Sequence, residues 1–190
     1  MVSYIIISVV CLVLLAADQI TKVIIDTNYL EGQVVSVVIK DFFSITKVHN
    51  TGAAWGIFDN ATLLLAIFSL ILASFIFFAF LQVKPALLKL AAGLIFVGAI
   101  GNVVDRFRLG YVVDFLSFRL FGFYDFPVFN VADICVVSGT IGIMIFLLFY
   151  SSKTRAFREG TVLSRLFSGK NKKTDTPPAE ETTEENRDQL

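Results

Sequence analysis

The chain has 190 residues, of which 56% are hydrophobic and 17% charged, with a mean hydropathy of +0.76 and a formal net charge of zero. Soluble domains average about 45–50% apolar and about 25% charged residues, and here the excess apolar residues fall in blocks instead of periodic stripes, which excludes an ordinary soluble domain and points to a membrane protein. Residues 1–152 carry 8 Lys and Arg against 9 Asp and Glu, a balance that excludes a basic face for nucleic acid.

Four apolar blocks follow in order, over residues 2–17, 61–81, 87–104 and 134–150. At 1.5 Å per residue, helices of these lengths reach about 24 to 32 Å, against a hydrocarbon core of about 30 Å. The first block has neither a basic flank nor a small-residue cleavage pattern before Asp18, so it reads as a retained span and not a signal peptide. Residues 34–48, VVSVVIKDFFSITKV, are β-branched and aromatic, broken at Lys40-Asp41; they predict a small hairpin on the membrane face. Only Gln82–Ala86 separates the second and third blocks, which makes those helices antiparallel neighbours. Residues 111–129 hold eight aromatics, a composition suited to the membrane–water interface. Residues 153–190 form a tail with 8 of the 16 Lys and Arg, basic at first and then acidic. With no apolar run to bury, its end is expected to be disordered. Cys11 and Cys135 sit inside apolar blocks and read as small buried thiols.

Four spans put both termini on one side. They also gather the polar residues at span ends onto one face, where Asp18 closes block one, Asn102 and Asp105 close block three and Asp133 opens block four. The loop between adds Arg106, Asp114 and Asn130. Ionisable groups at such a depth are costly and default to a functional reading. Each also has a plainer explanation. Asp133 suits the N-cap of block four, Asp105 can pair with the adjacent Arg106, and Lys22 can offset Asp18 if the first helix continues. Asp114, in GYVVDF, has no capping role and stands among apolar neighbours, so it needs a partner or a proton. Asp114 with Asp133 is the pair to choose for acid–base work, since two close carboxylates share one proton. Spacing alone leaves their contact open. His49 is the lone histidine and there is no GxSxG, HExxH, cysteine–histidine cluster or Gly-rich phosphate loop, so neither a serine triad nor a metal nor a nucleotide cofactor is expected.

Taken together, DQITK (residues 18–22), NTGAAWG (50–56), GAIGNVVDR (98–106), GYVVDF (110–115) and FNVAD (129–133) stand in the order found in lipoprotein signal peptidases, and over residues 5–150 the chain resembles that family. The resemblance implies an all-α membrane protein with four transmembrane helices and a small β-rich cradle on the outer membrane face. It implies a bacterial cytoplasmic-membrane protein with both termini cytoplasmic, whereas counting basic residues on the two sides gives a near tie. It implies an aspartic endopeptidase that works without metal or organic cofactor. Its substrate would be a diacylglyceryl-modified prolipoprotein met in the lipid bilayer and cut before the lipidated cysteine. Asp114 and Asp133 match the catalytic dyad. Asp18, Lys22, Asn50, Gly52, Asn102, Asp105, Arg106 and Asn130 match supporting or substrate-binding positions. Trp55 stands where Phe is common. The alternative is a small transporter or proton-relay protein, which would spread its acids through the membrane depth.

Overall fold

The structure, a computed structural model, describes residues 2–52 and 61–149. Trp55 and the 153–190 tail lie outside the described residues. Eight elements follow in chain order: α1 (Val2–Asn28), β1 (Val34–Ile39), β2 (Phe43–Asn50), α2 (Thr62–Gln82), α3 (Ala86–Leu109), β3 (Val112–Leu120), β4 (Tyr124–Asp125) and α4 (Val131–Phe149). All four helices are long and apolar enough to cross a membrane, as the sequence predicts.

Helix α3 is the centre of the bundle and packs against α1, α2 and α4. Half of its span is buried by protein, whereas α1 and α2 expose most of theirs. Leu63, Leu64, Phe68, Ile71 and Phe78 of α2 point outward, a surface that lipid accepts and water does not. Between α3 and α4 the fit depends on small residues. A Cβ at Gly98 would run into the Ala132 carbonyl oxygen, so glycine there lets the two backbones approach closely. Buried Ala66 and Ala73 form the tight face of α2. At the far end of the bundle, buried Lys89 lies over the Tyr4 ring at 3.8 Å and donates to Ser3 Oγ.

The hairpin forms where the sequence predicts it. Its turn is at Lys40-Asp41, with Asp41 at φ +57°. It belongs to a larger sheet, however, of order β1-β2-β3-β4 with every neighbouring pair antiparallel. Residues 112–120, read above only as interfacial aromatics, are a strand paired along β2. Ile25 of α1 packs with Val113 and Phe115 and seats this sheet on the end of α1.

Three expectations at span ends need correction. Helix α1 does not close at Asp18 but runs ten residues further, to Asn28, because Asp18 and Lys22 satisfy each other one turn apart. Helix α3 continues to Leu109 and ends on Gly110 at φ +83°, whose N–H reaches the Arg106 carbonyl, a left-handed stop that glycine takes without strain. Asp105 pairs with Lys22 and not with Arg106, since neighbouring helical positions point about 100° apart.

Candidate active site

The polar face of α1 comes first. Asp18, Gln19, Lys22 and Asp26 fall within about 100° of one another around a helix, a polar stripe in an otherwise apolar span. Lys22 is 1% exposed, and its ammonium meets three acceptors: Asp18 Oδ2 and Asp105 Oδ2, each at 2.9 Å, and Asn102 Oδ1 at 2.8 Å. An ammonium has three protons to donate, so this buried cation is fully satisfied. Asp18 Oδ1 also accepts the Ala132 N–H at 2.9 Å, which ties α1 to the first turn of α4. Gln19 Nε2 lies 3.2 Å from Asp18 Oδ2, Asp105 Oδ1 and the Gly101 carbonyl. A Cβ on Gly101 would fall 2.7 Å from Asp18 Oδ2, so only glycine leaves room for the carboxylate.

Asn102 passes the network on. Its Oδ1 accepts from Lys22 and from Asn130 Nδ2, which leaves its own Nδ2 to donate to Asp133 Oδ1 at 2.8 Å. At the start of α4, Asn130 Oδ1 accepts the Asp133 N–H at 3.0 Å and Asp133 Oδ2 accepts the Asn130 N–H at 3.1 Å. This reciprocal pair has the form of a capping box. The N-cap is therefore Asn130, with Asp133 three residues inside, which corrects the expectation that Asp133 caps the helix. Asn130 Nδ2 reaches Asp114 Oδ1 at 2.6 Å, so one buried residue holds both carboxylates, Asp114 by its side-chain amide and Asp133 by its backbone N–H.

Asp114 arrives on β3, 2% exposed. Its Oδ2 accepts from Asn50 Nδ2 at 2.9 Å, across from the end of β2. Burial, and then the neighbouring Asp133 charge, push the Asp114 carboxyl up to about 7, against the opposing pull of the Asn50 and Asn130 amides and Lys22. Asn50 Oδ1 accepts the Gly52 N–H at 3.0 Å, and Arg106 Nη2 donates to the Gly52 carbonyl at 3.1 Å. Both carboxylates, with Asn50, Asn102 and Arg106, line a cavity of about 870 Å³ whose other wall is apolar, built from Phe126, Val128, Ile134 and Val137. Among the described residues no three His, Cys, Asp or Glu side chains converge as metal ligands.

The ten residues singled out from the sequence thus form one connected system at one end of the bundle. Four participants were missed, Asp26 among them. Gln19 enters because α1 continues past Asp18, and the Ala132 N–H because the first turn of α4 packs on Asp18. His49, on the cavity wall, also bonds to Asp26.

A family model described as signal peptidase (SPase) II matches residues 10–149. The chain belongs to the signal peptidase II family. Family membership makes it an aspartic peptidase and a multi-pass membrane protein of bacterial type. Similar proteins include a lipoprotein signal peptidase of Clostridium acetobutylicum, 45% identical over 118 residues, which span 61% of this chain and 77% of that one. One from Clostridium tetani is 41% identical over 69% of this chain and 85% of its own. A solved bacterial membrane enzyme superposes with a TM-score of 0.70 at 36% identity, over 85% of this chain and 95% of that structure. The transporter alternative finds no support among these relatives.

Proposed function

We propose that Asp114 and Asp133 are the catalytic pair with which this peptidase removes the signal peptide from diacylglyceryl-modified prolipoproteins, cutting before the lipidated cysteine. The observation that carries this reading is the Asn130 bridge, which holds one buried carboxyl and one at a helix start against the same cavity. In the singly protonated pair the proton belongs on Asp114, whose carboxyl is pushed up to about 7. The charge belongs on Asp133, where the α4 N-terminus and the Asn102 amide receive it. Asp133 then takes a proton from water as the oxygen adds to the scissile carbonyl, and Asp114 donates its proton to the carbonyl oxygen. Collapse of the diol returns a proton to Asp114 and passes the other from Asp133 to the leaving nitrogen.

The other eight residues support this chemistry. Asn50 and Asn130 orient Asp114, and Asn102 orients Asp133. The buried Asp18–Lys22–Asp105 cluster fixes the helices that carry them, while Arg106 holds the Gly52 carbonyl beside the cavity. The apolar wall suits a hydrophobic signal segment entering from the bilayer. We further infer that both termini face the cytoplasm and that the site opens near the outer membrane face, where a precursor anchored by its acyl chains presents its scissile bond.

Purified protein should cleave a lipidated precursor peptide and leave the same peptide without lipid uncut. Asp114→Asn and Asp133→Asn should each nearly abolish cleavage, and the double variant should be little worse than either, because groups that act as a unit are strongly non-additive. Substantial turnover by a correctly inserted single variant would remove the pair from the mechanism.

A further inference from the structure

His49 is the last residue but one of β2, next to Asn50, and its surroundings are unusual for a residue that touches neither carboxylate of the dyad. Ring Nε2 lies 2.9 Å from Asp26 Oδ1, near the end of α1, and ring Nδ1 lies 3.2 Å from Glu31 Oε2, in the loop from α1 to β1. The His49 backbone N–H donates to the other Glu31 oxygen at 3.1 Å. The ring stacks on Tyr111, with centroids 3.8 Å apart and planes 21° from parallel, and the Tyr111 hydroxyl lies 3.4 Å from both Asp26 oxygens. Lys47, on the same strand, shares Asp26 Oδ1 at 3.0 Å and donates to the Asp26 and Tyr29 carbonyls. The end of α1, the α1–β1 loop and Tyr111, just before β3, therefore each send a group to this one side chain.

Each ring nitrogen thus lies at hydrogen-bond distance from a carboxylate oxygen, so the ring is held from both of its nitrogens. The clamp reaches the dyad through the chain itself. Asn50, the next residue, aims Nδ2 at Asp114 Oδ2, and its Oδ1 turns the chain so that the Gly52 carbonyl meets Arg106. A β2 end free to pivot would still leave the sheet intact, but it would move the amide that holds Asp114.

We propose that His49 is a positioning residue for peptide cleavage: clamped between Asp26 and Glu31 and stacked on Tyr111, it fixes the angle at which Asn50 presents its amide to Asp114. The proposal rests on the reading of Asp114 as a member of the catalytic pair. A residue in this role needs nitrogens directed at both carboxylates and a flat face, not a histidine as such. Arginine provides both, because its planar guanidinium donates to two carboxylates and stacks on an aromatic ring.

The test measures kcat and KM on a lipidated precursor peptide for the wild type and for H49F, H49Q, H49R, N50A, H49F/N50A and D114N, with thermal stability recorded for each. H49F keeps the stacking and removes both ring nitrogens, so its kcat should fall about tenfold to a hundredfold, as for a small misplacement near the reacting groups, with little change in KM. H49Q should fall in the same direction, and stands in if H49F does not insert. H49R should recover most of the lost kcat. H49F/N50A should be no slower than N50A, because His49 acts through Asn50. Wild-type kcat in H49F or H49Q overturns the proposal. So does a change confined to KM, which would make His49 a substrate contact, or losses that multiply in the double variant. An active D114N would instead defeat the reading of the dyad, and the two failures are thereby told apart.

Discussion

At Asp114, burial beside a second carboxylate holds the acid near pH 7, and this has consequences for activity and stability. The folded value lies above the ordinary 3.8, so the folded chain keeps a proton that the unfolded chain has already released. Stability therefore falls as pH rises from about 4 to about 7 and levels off above that. Activity that depends on the same proton should decline above about pH 7, tenfold per pH unit, in a kcat/KM profile. Asn130→Ser retains a capping side chain, but its shorter hydroxyl does not span to Asp114. Losing that amide removes one of the groups that pull Asp114 down, so the alkaline limb should move to higher pH as turnover slows. A limb that stays in place or moves down would assign the titration elsewhere. Lys22→Met leaves Asp18 and Asp105 buried without their cation. Breaking a buried pair costs about 3–5 kcal/mol, which a thermal-unfolding series in detergent should register as a large drop.

Where elements meet, small residues decide what fits. Gly101→Ala puts a methyl group against Asp18 Oδ2 and the Ala132 side chain. Overpacking of this kind costs about 1–3 kcal/mol, and here it also pushes the carboxylate away from Lys22 and the Ala132 N–H. The variant is expected to lose activity and stability together, and full activity at unchanged stability would show that the α1–α3–α4 junction is looser than its geometry. The hydrophobic block marks where α1 begins but not where it ends. Asp18 interrupts the apolar run, so counting hydrophobic residues stops there, although the helix continues because its polar side chains find partners on α3 and α4. The same gap hid Gln19 and Asp26. A helical wheel drawn through residue 28 would have shown the stripe, but nothing local says that the helix goes that far.

Across the whole molecule, the proposed orientation is open to a direct check. A single cysteine introduced at Asp41, in the β1–β2 turn, should react with an impermeant thiol reagent in intact cells, and one at Ser152 should not. Cys11 and Cys135, both within apolar spans, first have to be replaced by Ser or Ala. The reverse pattern of labelling would put the cavity on the cytoplasmic side and separate it from a precursor anchored in the outer leaflet. The arrangement of polar groups is in keeping with an interfacial enzyme. The carboxylates and amides lie where α1 and α3 end and α4 begins, and the sheet sits on that same end.

Sequence alone determined the four spans and the hairpin turn at Lys40-Asp41 and put forward Asp18, Asn102, Asp105, Arg106, Asp114, Asn130 and Asp133 as candidates, while Lys22, Asn50 and Gly52 entered the site through the family resemblance. Apolar run length, turn chemistry and the cost of an unpaired charge in an apolar segment are local properties that composition records. The strand at 112–120 was not legible, because an aromatic-rich segment fits a membrane interface and a half-buried strand equally well until β2 lies beside it. Nor could the sequence choose among the roles open to Asp133, Asp105 and Lys22. Capping, ion pairing and proton transfer use the same side chains, and only the packing of α1, α3 and α4 decides which partner is within 3 Å. Tertiary structure made Asn130 the cap, sent Asp105 to Lys22 and tied Asp133 and Asp114 to the same Asn130, because a carboxylate in a membrane goes to whichever donor the fold brings nearest.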